Sequence, residues 1–430
     1  MNVMKCTAAG DTMIFRRLPG RYPGFDELAR FIGQGDFRFY NLETTIHNYE
    51  TYGAAQSGGS WFCSQPEVLE DMKEFGFNIL TTANNHAMDY SYKGLEKTLE
   101  YIRKSGTPFA GTGMNLAEAS APTYLDTPNG RFALIAGCTT FHPDASAGEQ
   151  TRTMQGRPGL NTIRHSVTYQ LPKEQLAHLK NIAEQVAING EDDILRKEGY
   201  LPPLPEGKVR FGSLDFQEAD NPGKMTKINE TDMRRTERAI REARFMADYV
   251  VVSIHSHELR NIDKAEPAQF MEEFAHRCIN AGAHAVIGTG PHLLRPIEIY
   301  KGCPIFYCLG DFVIQLETIQ RAPSEMFEKQ NMSGNESLDK MFLNRSNGGK
   351  RGLYYDKVMF EAIVPYWEAE DGVLTQLVLM PVELGFGQPR SKGGWPKPNY
   401  NAGILERLAE MSKPYGTQID IVDGLGYVRL

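Results

Sequence analysis

The feature of this 430-residue sequence that most restricts its fold is a series of short apolar runs separated by helical patterns. Residues 3–9, 131–139 and 246–258 are rich in aliphatic side chains and have the length of strands rather than helices. Residues 92–105 place their leucines and an isoleucine on one helical face. Such alternation is typical of an α/β fold with a largely parallel sheet.

The same patterns predict most of the regular structure along the chain. Helices are expected over residues 25–33, 66–75, 92–105, 171–187, 273–280 and 402–412, and strands over 3–9, 37–43, 77–82, 131–139, 246–258, 283–292 and 304–314. Residues 357–384 predict a hairpin, because Asp371-Gly372 separates two apolar runs. Residues 190–235 and 315–351 are polar, and we interpret them as excursions from the core in a position to cover a site.

Bulk composition excludes several classes of protein. The net charge of −8 and the lack of a Lys/Arg stripe argue against a nucleic-acid partner. No apolar window reaches the length of a spanning helix, and the N-terminus has no apolar signal region, so we expect no membrane anchor and a cytoplasmic location. Six cysteines without a CxxC pair indicate buried, reduced thiols. The length allows one large α/β domain with insertions or two domains.

Polar side chains stand at the ends of at least five predicted strands. Strand ends at one edge of a parallel-rich sheet lie side by side, and open α/β sheets build their sites there. Carboxylate, amide and imidazole groups together suit Mn²⁺, Fe²⁺ or Zn²⁺, as one or two ions. The residues concerned are Asp11, Asn41, Glu43, Asn84, Asn85, His86, His255, His257, Glu258, Thr289 and His292.

Taken singly, these residues have ordinary structural explanations. Asp11, Asn85 and His292 suit a turn or a helix cap, and His86 suits a satisfied core position. The recurrence of the same feature at several strand ends favours a shared metal site over these separate explanations.

Several blocks carry a resemblance to a known family. The segments "AAGDTMI", "NLETTI", "TTANNHAMDYSYKGLEKTL" and "VVVSIHSHE" resemble the CapA family of capsule and poly-γ-glutamate synthesis proteins, also called PgsA. The fold of that family is similar to calcineurin-like metallophosphoesterases. The resemblance implies a four-layer α/β/β/α sandwich of two mixed sheets flanked by helices. It implies one such domain over residues 1–390, with residues 391–430 as a helix and tail packed on it.

The resemblance also implies roles for particular residues. The metal-ligand positions of the metallophosphoesterases match Asp11, Glu43, Asn85, His255 and His292. The histidine that protonates a leaving group matches His86.

Two positions depart from the wider superfamily, and each departure removes an imidazole. The usual Asp-x-His is Asp11-Thr12-Met13, and the usual closing Gly-His-x-His ends in Pro291-His292. His257 is a candidate replacement ligand, because residues two apart on a strand share a face and His255 stands two positions before it. The alternative is that these two histidines lie at a solvated edge of the sheet.

The resulting hypothesis is a metal-dependent hydrolase acting on a phosphoester or on an amide or ester bond of an anionic polymer such as poly-γ-glutamate. We assign substrate binding to Asn41, Asn84 and Glu258, with Arg16, Arg17 and Arg295 as candidate anion clamps or, alternatively, plain surface charges. A second hypothesis is a non-catalytic accessory or binding protein of poly-γ-glutamate or capsule biosynthesis. A Ser–His–Asp hydrolase is disfavoured, since no GxSxG elbow is present.

Overall fold

The computed structural model describes residues 3–430, apart from the side chain of Tyr354. The helices are α1 Phe25–Ile32, α2 Val68–Glu74, α3 Ser91–Ser105, α4 Leu116–Ser120, α5 Lys173–Gln185, α6 Gly190–Lys197, α7 Glu230–Met246, α8 Gln269–Ala281, α9 Ser324–Glu328, α10 Leu338–Arg345 and α11 Gly403–Ser412. The strands are β1 Val3–Met13, β2 Phe37–Leu42, β3 Thr45–Ile46, β4 Cys63–Ser64, β5 Ile79–Thr81, β6 Phe109–Ala110, β7 Thr112–Gly113, β8 Thr123–Thr127, β9 Gly130–Cys138, β10 Gly159–Leu160, β11 His165–Leu171, β12 Lys208–Phe211, β13 Leu214–Glu218, β14 Gly223–Ile228, β15 Tyr249–His255, β16 Ala285–Thr289, β17 Ile297–Tyr300, β18 Cys303–Phe306, β19 Asp311–Ile314, β20 Glu361–Glu370, β21 Val373–Glu383, β22 Lys397–Pro398, β23 Ile419–Val422 and β24 Leu425–Val428.

Two mixed sheets form the centre of the molecule. The ten-stranded sheet runs β23-β24-β21-β20-β1-β2-β5-β6, with β19 also beside β1 and β22 beside β21. In it, β1 is parallel to β2 and β19 but antiparallel to β20. The six-stranded sheet runs β17-β18-β16-β15-β9-β8, and its four middle strands are parallel. These mixed sheets confirm the predicted α/β class.

The sheets pack face to face, and helices cover their outer sides. Phe37 and Phe39 of the ten-stranded sheet share a buried cluster with Leu134 and Val251 of the six-stranded sheet. The outer face of the first sheet contacts the apolar sides of α1 and α2, and that of the second sheet contacts α7 and α8. Because apolar residues line both faces of each sheet, both faces must be covered. The predicted α/β/β/α sandwich is confirmed.

The predicted helices and most predicted strands are present with ends shifted by a few residues, but residues 304–314 do not form one strand. They form β18 in the six-stranded sheet and β19 in the ten-stranded sheet. The chain changes sheet through Gly310, whose φ of 77° lies in the left-handed region that glycine tolerates. The single apolar run concealed this crossing, because both halves are buried.

The polar excursions contain regular structure of their own. A four-stranded sheet, β12-β13-β11-β14, and helices α5 and α6 occupy residues 165–228. The predicted excursion at 190–235 covers part of this region and the start of α7. The segment 315–351 holds α9 and α10. After α11 the chain forms the hairpin β23–β24, which joins the ten-stranded sheet and was not predicted.

Candidate metal centre

The candidate centre lies where the carboxyl ends of β1, β2, β15 and β16 meet the start of β19. In the ten-stranded sheet, Asp11 of β1 is paired in register with Asn41 of β2 and with Asp311 of β19. In the six-stranded sheet, His255 at the end of β15 is paired with Thr289 of β16. Parallel neighbours thus place these polar side chains at a common edge, as expected for an α/β site.

Asp11 is fully buried and tightly held. Its Oδ1 accepts from Asn41 Nδ2 at 2.6 Å, and its Oδ2 accepts from the backbone N–H of Gly290 at 2.8 Å. Burial opposes the charged form, but His255, His292 and Asn41 outweigh it, so the pKa of Asp11 is lowered. Asp11 is therefore a fixed carboxylate inside strand β1, rather than the turn or cap residue that its sequence context allowed.

Glu43, just after β2, has the most unusual environment of the cluster. It is fully buried, and neither carboxylate oxygen has a hydrogen-bond partner. Burial and the nearby carboxylates Asp11, Asp311 and Asp89 raise its pKa well above the usual value. Its Oε1 lies 3.7 Å from His255 Nε2 and 3.9 Å from His86 Nε2. A buried carboxylate without donors is costly, and a cation among these oxygens and imidazoles would satisfy it.

Four imidazoles lie near Glu43, those of His86, His255, His257 and His292. His255 Nε2 lies 2.8 Å from Asn85 Oδ1 and 3.1 Å from His257 Nε2. Because two ring nitrogens this close cannot both carry a proton, at least one is an acceptor facing the cluster. Burial, followed by the charges of His255 and His292, lowers the pKa of His257 well below its usual value.

The expectation that one strand carries both His255 and His257 is wrong, although their side chains face the same cluster. Strand β15 ends at His255, and His257 lies in the segment that follows. The centroids of the two rings nevertheless lie 5.0 Å apart. The side chain of His257 points into the cluster, while its role as a ligand remains a prediction.

His292 pairs with an acidic residue that the sequence analysis missed. Its Nδ1 lies 3.0 Å from Asp311 Oδ1 and 3.7 Å from Asp11 Oδ2, and its φ of 60° is a strained, left-handed value. Burial raises the pKa of Asp311 to about 6, although His292 opposes that rise. One signal could have found Asp311: Gly310-Asp311 repeats the Gly10-Asp11 pair of the first strand.

The cluster contains two groups with the spacing of a cation site. Potential ligand atoms of Glu43, His257 and His292 lie within 4.8 Å of one another, and so do those of Asp11, His292 and Asp311. Asn85 Nδ2 donates to the carbonyl of Gly58 at 3.0 Å, which directs the amide oxygen of Asn85 towards His255. This donor set of carboxylate, amide and imidazole fits a borderline divalent ion.

His86 is held at the edge of this cluster. Its Nδ1 donates to Asp89 Oδ2 at 2.6 Å, and its ring stacks on Phe62 at 3.7 Å. Nε2 is then directed towards Glu43. The sequence analysis missed Asp89, although the spacing His-x-x-Asp within "NNHAMD" was a usable signal.

Asn41 and Asn84, which were predicted to bind substrate, form hydrogen bonds with residues of the cluster. Asn84 Nδ2 donates to Asn41 Oδ1 at 3.1 Å, and Asn84 Oδ1 accepts from the backbone N–H of His86 at 3.1 Å. Asn41 in turn donates to Asp11. These contacts orient Asp11 and His86, and substrate binding by the two asparagines remains a prediction.

Three hydroxyl groups donate hydrogen bonds to the carboxylate of Glu258. Its carboxylate accepts from Thr139 Oγ1 at 2.6 Å, from Thr140 Oγ1 at 2.9 Å and from Ser256 Oγ at 2.8 Å. Burial opposes ionisation, but these donors and His165 lower the pKa of Glu258. The carboxylate thereby fixes the turn that carries His257, and its contact with substrate stays a prediction.

The predicted anion clamps donate to protein groups. Arg17 forms two hydrogen bonds of 2.7 Å with Asp71, and Arg295 is buried and donates to the carbonyls of the 256–264 segment. Arg16 donates to the carbonyls of residues 391 and 393. The plain-surface alternative is wrong for Arg295, which is 1% exposed. Substrate binding by Arg17 and Arg295 remains a prediction.

Over residues 3–430, no helix has the length and apolar character needed to cross a membrane. The six cysteines are all buried and unpaired, as expected.

Comparison with known proteins gives one family match and several relatives. The family described as "Bacterial capsule synthesis protein PGA_cap" matches residues 5–316. A Sinorhizobium fredii protein named only as uncharacterised is 33% identical over 98% of this chain and 92% of its own length. The "PGA biosynthesis protein CapA" of Bacillus subtilis is 23% identical over 87% of this chain and 82% of its own length.

Two solved structures show a weak overall likeness. A hypothetical protein from Thermus thermophilus is 12% identical, with a TM-score of 0.41 over 88% of this chain and 99% of that one. A phosphatase from Mycoplasma pneumoniae is 10% identical, with a TM-score of 0.39 over 89% of this chain and 94% of that one.

Proposed function

The chain belongs to the bacterial capsule synthesis protein PGA_cap family, and on that premise we propose that it is a metal-dependent hydrolase. The proposed substrate is a phosphoester, or an amide or ester bond of an anionic polymer such as poly-γ-glutamate. The name of the Bacillus subtilis relative, a PGA biosynthesis protein, supports a polymer of this kind.

The observation that carries the proposal is the environment of Glu43. Both of its oxygens are buried without a donor, and they face imidazoles rather than a lysine or arginine. The residues that would hold a divalent cation are Asp11, Glu43, Asn85, His255 and His292. Asp311 and His257 supply ligand groups at a centre that lacks two imidazoles of the wider superfamily.

The chain's own residues supply the proton transfer. A divalent cation in such a centre provides Lewis-acid chemistry. His86 Nδ1–H is held by Asp89 and its ring by Phe62, so a proton on Nε2 is directed towards the cluster. From there it can pass to the departing oxygen or nitrogen of a substrate bound at the centre. General acid catalysis of this kind contributes roughly 10²–10⁴ in rate.

The test is metal analysis of the purified chain followed by assay. We expect one or two Mn²⁺, Fe²⁺ or Zn²⁺ ions per chain and Mn²⁺-dependent hydrolysis of an aryl phosphodiester or of γ-linked glutamate oligomers. His86→Gln should lower turnover by roughly 10²-fold or more while the metal content is retained. The matched control is His178→Gln, because His178 is exposed on α5, outside the centre.

A second function has one observation in its favour. The relative in Mycobacterium tuberculosis, 24% identical over 66% of this chain and 57% of its own length, is named a probable polyglutamine synthesis accessory protein. A metal-free chain that hydrolyses neither substrate but binds poly-γ-glutamate would overturn the hydrolase proposal and favour this accessory role.

A further inference from the structure

A cavity of about 400 Å³ lies outside the cluster of candidate ligands. The 315–351 segment provides most of its wall, and the turn after β15 provides Lys264. Arg345 and Arg351 add further positive charge, while Leu316, Phe342 and Met359 line it with apolar groups.

Arg345, at the end of α10, is the unusual residue of this cavity. It is partly buried, and its Nη1 donates to the hydroxyl of Ser60. Within the described part of the chain it has no ion pair. Burial lowers its pKa, and Glu317 is the charge that opposes this. A guanidinium withdrawn from water without a direct ion pair is costly, so an anion in the cavity would stabilise it.

The two carboxylates of the cavity are engaged elsewhere. Glu317 forms an ion pair with Arg390. Asp356 accepts from the backbone N–H of Val358 at 3.2 Å, as the cap of a short helical turn. Three basic side chains, Lys264, Arg345 and Arg351, thus line the cavity against two carboxylates, which leaves a net positive charge to attract an incoming anion.

Two connections join the cavity to the centre. Arg345 donates to Ser60, which lies two residues after Gly58. Gly58 in turn contacts the centre, because its carbonyl accepts from Asn85 and its N–H donates to Asp89 at 3.0 Å. On the other side, the segment after β15 carries both His257 of the centre and Lys264 of the cavity.

The backbone position of Lys264 is fixed. Buried Arg295 donates to its carbonyl from Nε at 2.9 Å and to the carbonyl of Glu258 from Nη2 at 2.9 Å. The guanidinium of Arg295 thus holds the backbone of Lys264 close to the backbone of Glu258, which is next to His257. The cavity and the centre therefore depend on the same buried side chain.

We propose that this cavity binds an anionic group of the substrate, a carboxylate or a phosphate, away from the bond that is cleaved. Arg345 provides the planar fork that matches two anionic oxygens, and Lys264 provides a second charge. The apolar wall accommodates a hydrocarbon stem. This inference rests on the proposed function and deepens it, because it implies that the substrate carries a second anionic group besides the bond that is cleaved.

The test is direct binding to the full chain as purified, measured by isothermal titration calorimetry with the recovered ligand checked by mass spectrometry. The probes are tri-γ-glutamate, its α-amide form without pendant carboxylates, and inorganic phosphate. We expect Arg345→Gln to weaken binding of one anionic probe by about tenfold or more, in line with the loss of a charge-assisted contact. Tighter binding of tri-γ-glutamate identifies carboxylate as the ligand, and tighter binding of phosphate identifies a phosphoryl group.

The matched control is Lys340→Gln, which removes a positive charge from the exposed side of the same helix. It should bind like the parent chain. Should Arg345→Gln fail to fold, Ser60→Ala and Lys264→Gln report on the same cavity. The proposal is overturned if Arg345→Gln binds every anionic probe as tightly as the parent, or if Lys340→Gln loses as much affinity as Arg345→Gln. It is also overturned if the α-amide form binds as tightly as the tightest anionic probe. Binding does not require turnover, so this result stands apart from the hydrolysis assay.

Discussion

At the scale of single residues, sequence reasoning succeeded where a polar side chain ends an apolar strand. The ligand candidates assigned from such positions come together around Glu43. Asp311 and Asp89 were missed for different reasons. Asp311 reaches the cluster only because the chain crosses between sheets at Gly310, which an unbroken apolar run does not reveal. Asp89 lies within a turn, where aspartate is common without any function.

Replacement of His257 tests whether this ring is a ligand. His257→Ala should lower the bound metal per chain and weaken metal affinity by roughly 10-fold or more, because it removes a nitrogen within reach of Glu43 and His292. Metal content is measured by elemental analysis after dialysis. His178→Ala is the control, and metal content equal to that of the parent would remove His257 from the ligand set.

His284, remote from the centre, predicts a pH dependence of stability. Its Nδ1 accepts from the backbone N–H of Val250 at 2.8 Å, and burial, with the charge of Arg244, lowers its pKa to about 4. The unfolded chain takes up this proton below about pH 6.5. The unfolded state therefore binds more protons between pH 6.5 and 4, and stability falls as the pH falls through that window, by roughly 3 kcal/mol at most.

The variant His284→Asn isolates this contribution. Its amide oxygen can still accept from Val250, but it does not titrate. Urea unfolding at pH 7 and pH 5 should show a smaller loss of unfolding free energy in the variant than in the parent. The exposed His178→Asn should behave like the parent, and equal losses in all three chains would refute the assignment.

At the scale of elements, periodicity predicted the helices and the hairpin β20–β21, since each has a strong local pattern and a clear turn at Asp371-Gly372. Sheet membership could not be predicted. The split of residues 304–314, the extension of β1 through Asp11 and the hairpin β23–β24 all depend on long-range partners. Such contacts leave no periodic trace in the segment itself.

Strand β1 passes very close to the chain just before β19, so we expect the glycine at this contact to be sensitive to substitution. A Cβ on Gly10 would lie 1.8 Å from the carbonyl oxygen of Gly310, so Gly10→Ala must push the two segments apart. We expect a loss of about 1–3 kcal/mol or more in unfolding free energy, together with lower metal affinity, because Asp11 follows directly. Gly190→Ala is the control, since no atom lies within 4 Å of its added Cβ. Equal stability of the two variants in chemical denaturation would contradict this close packing.

At the scale of the whole molecule, the centre unites two sheets that otherwise contact each other through apolar side chains. Asp11, Glu43 and Asp311 come from the ten-stranded sheet side, whereas His255, His257 and His292 come from the six-stranded sheet side. Buried carboxylates repel one another without a cation between them. A bound ion should therefore stabilise the sandwich as a whole.

Removal of metal should accordingly lower the melting temperature. At a free ion concentration about 100-fold above Kd, binding to the native state alone contributes about 2.7 kcal/mol. Calorimetry with and without chelator measures the effect, and re-addition of Mn²⁺ or Zn²⁺ should restore it. Glu43→Gln should reduce the response to chelator. Identical melting curves for the parent chain in both conditions would count against a metal centre.

The position of β1 also has a consequence for biosynthesis. On one edge, strand β1 has partners that come much later in the chain: Val3 pairs with Glu370, and Asp11 pairs with Asp311. At translation rates of about 5–20 residues per second, the ribosome needs roughly 15–60 s to make the chain between β1 and these partners. During that time this edge of β1 has unpaired backbone groups. Nascent chains that stop short of residue 311 therefore present an open, apolar edge, and their solubility should depend on chaperones until the later strands emerge.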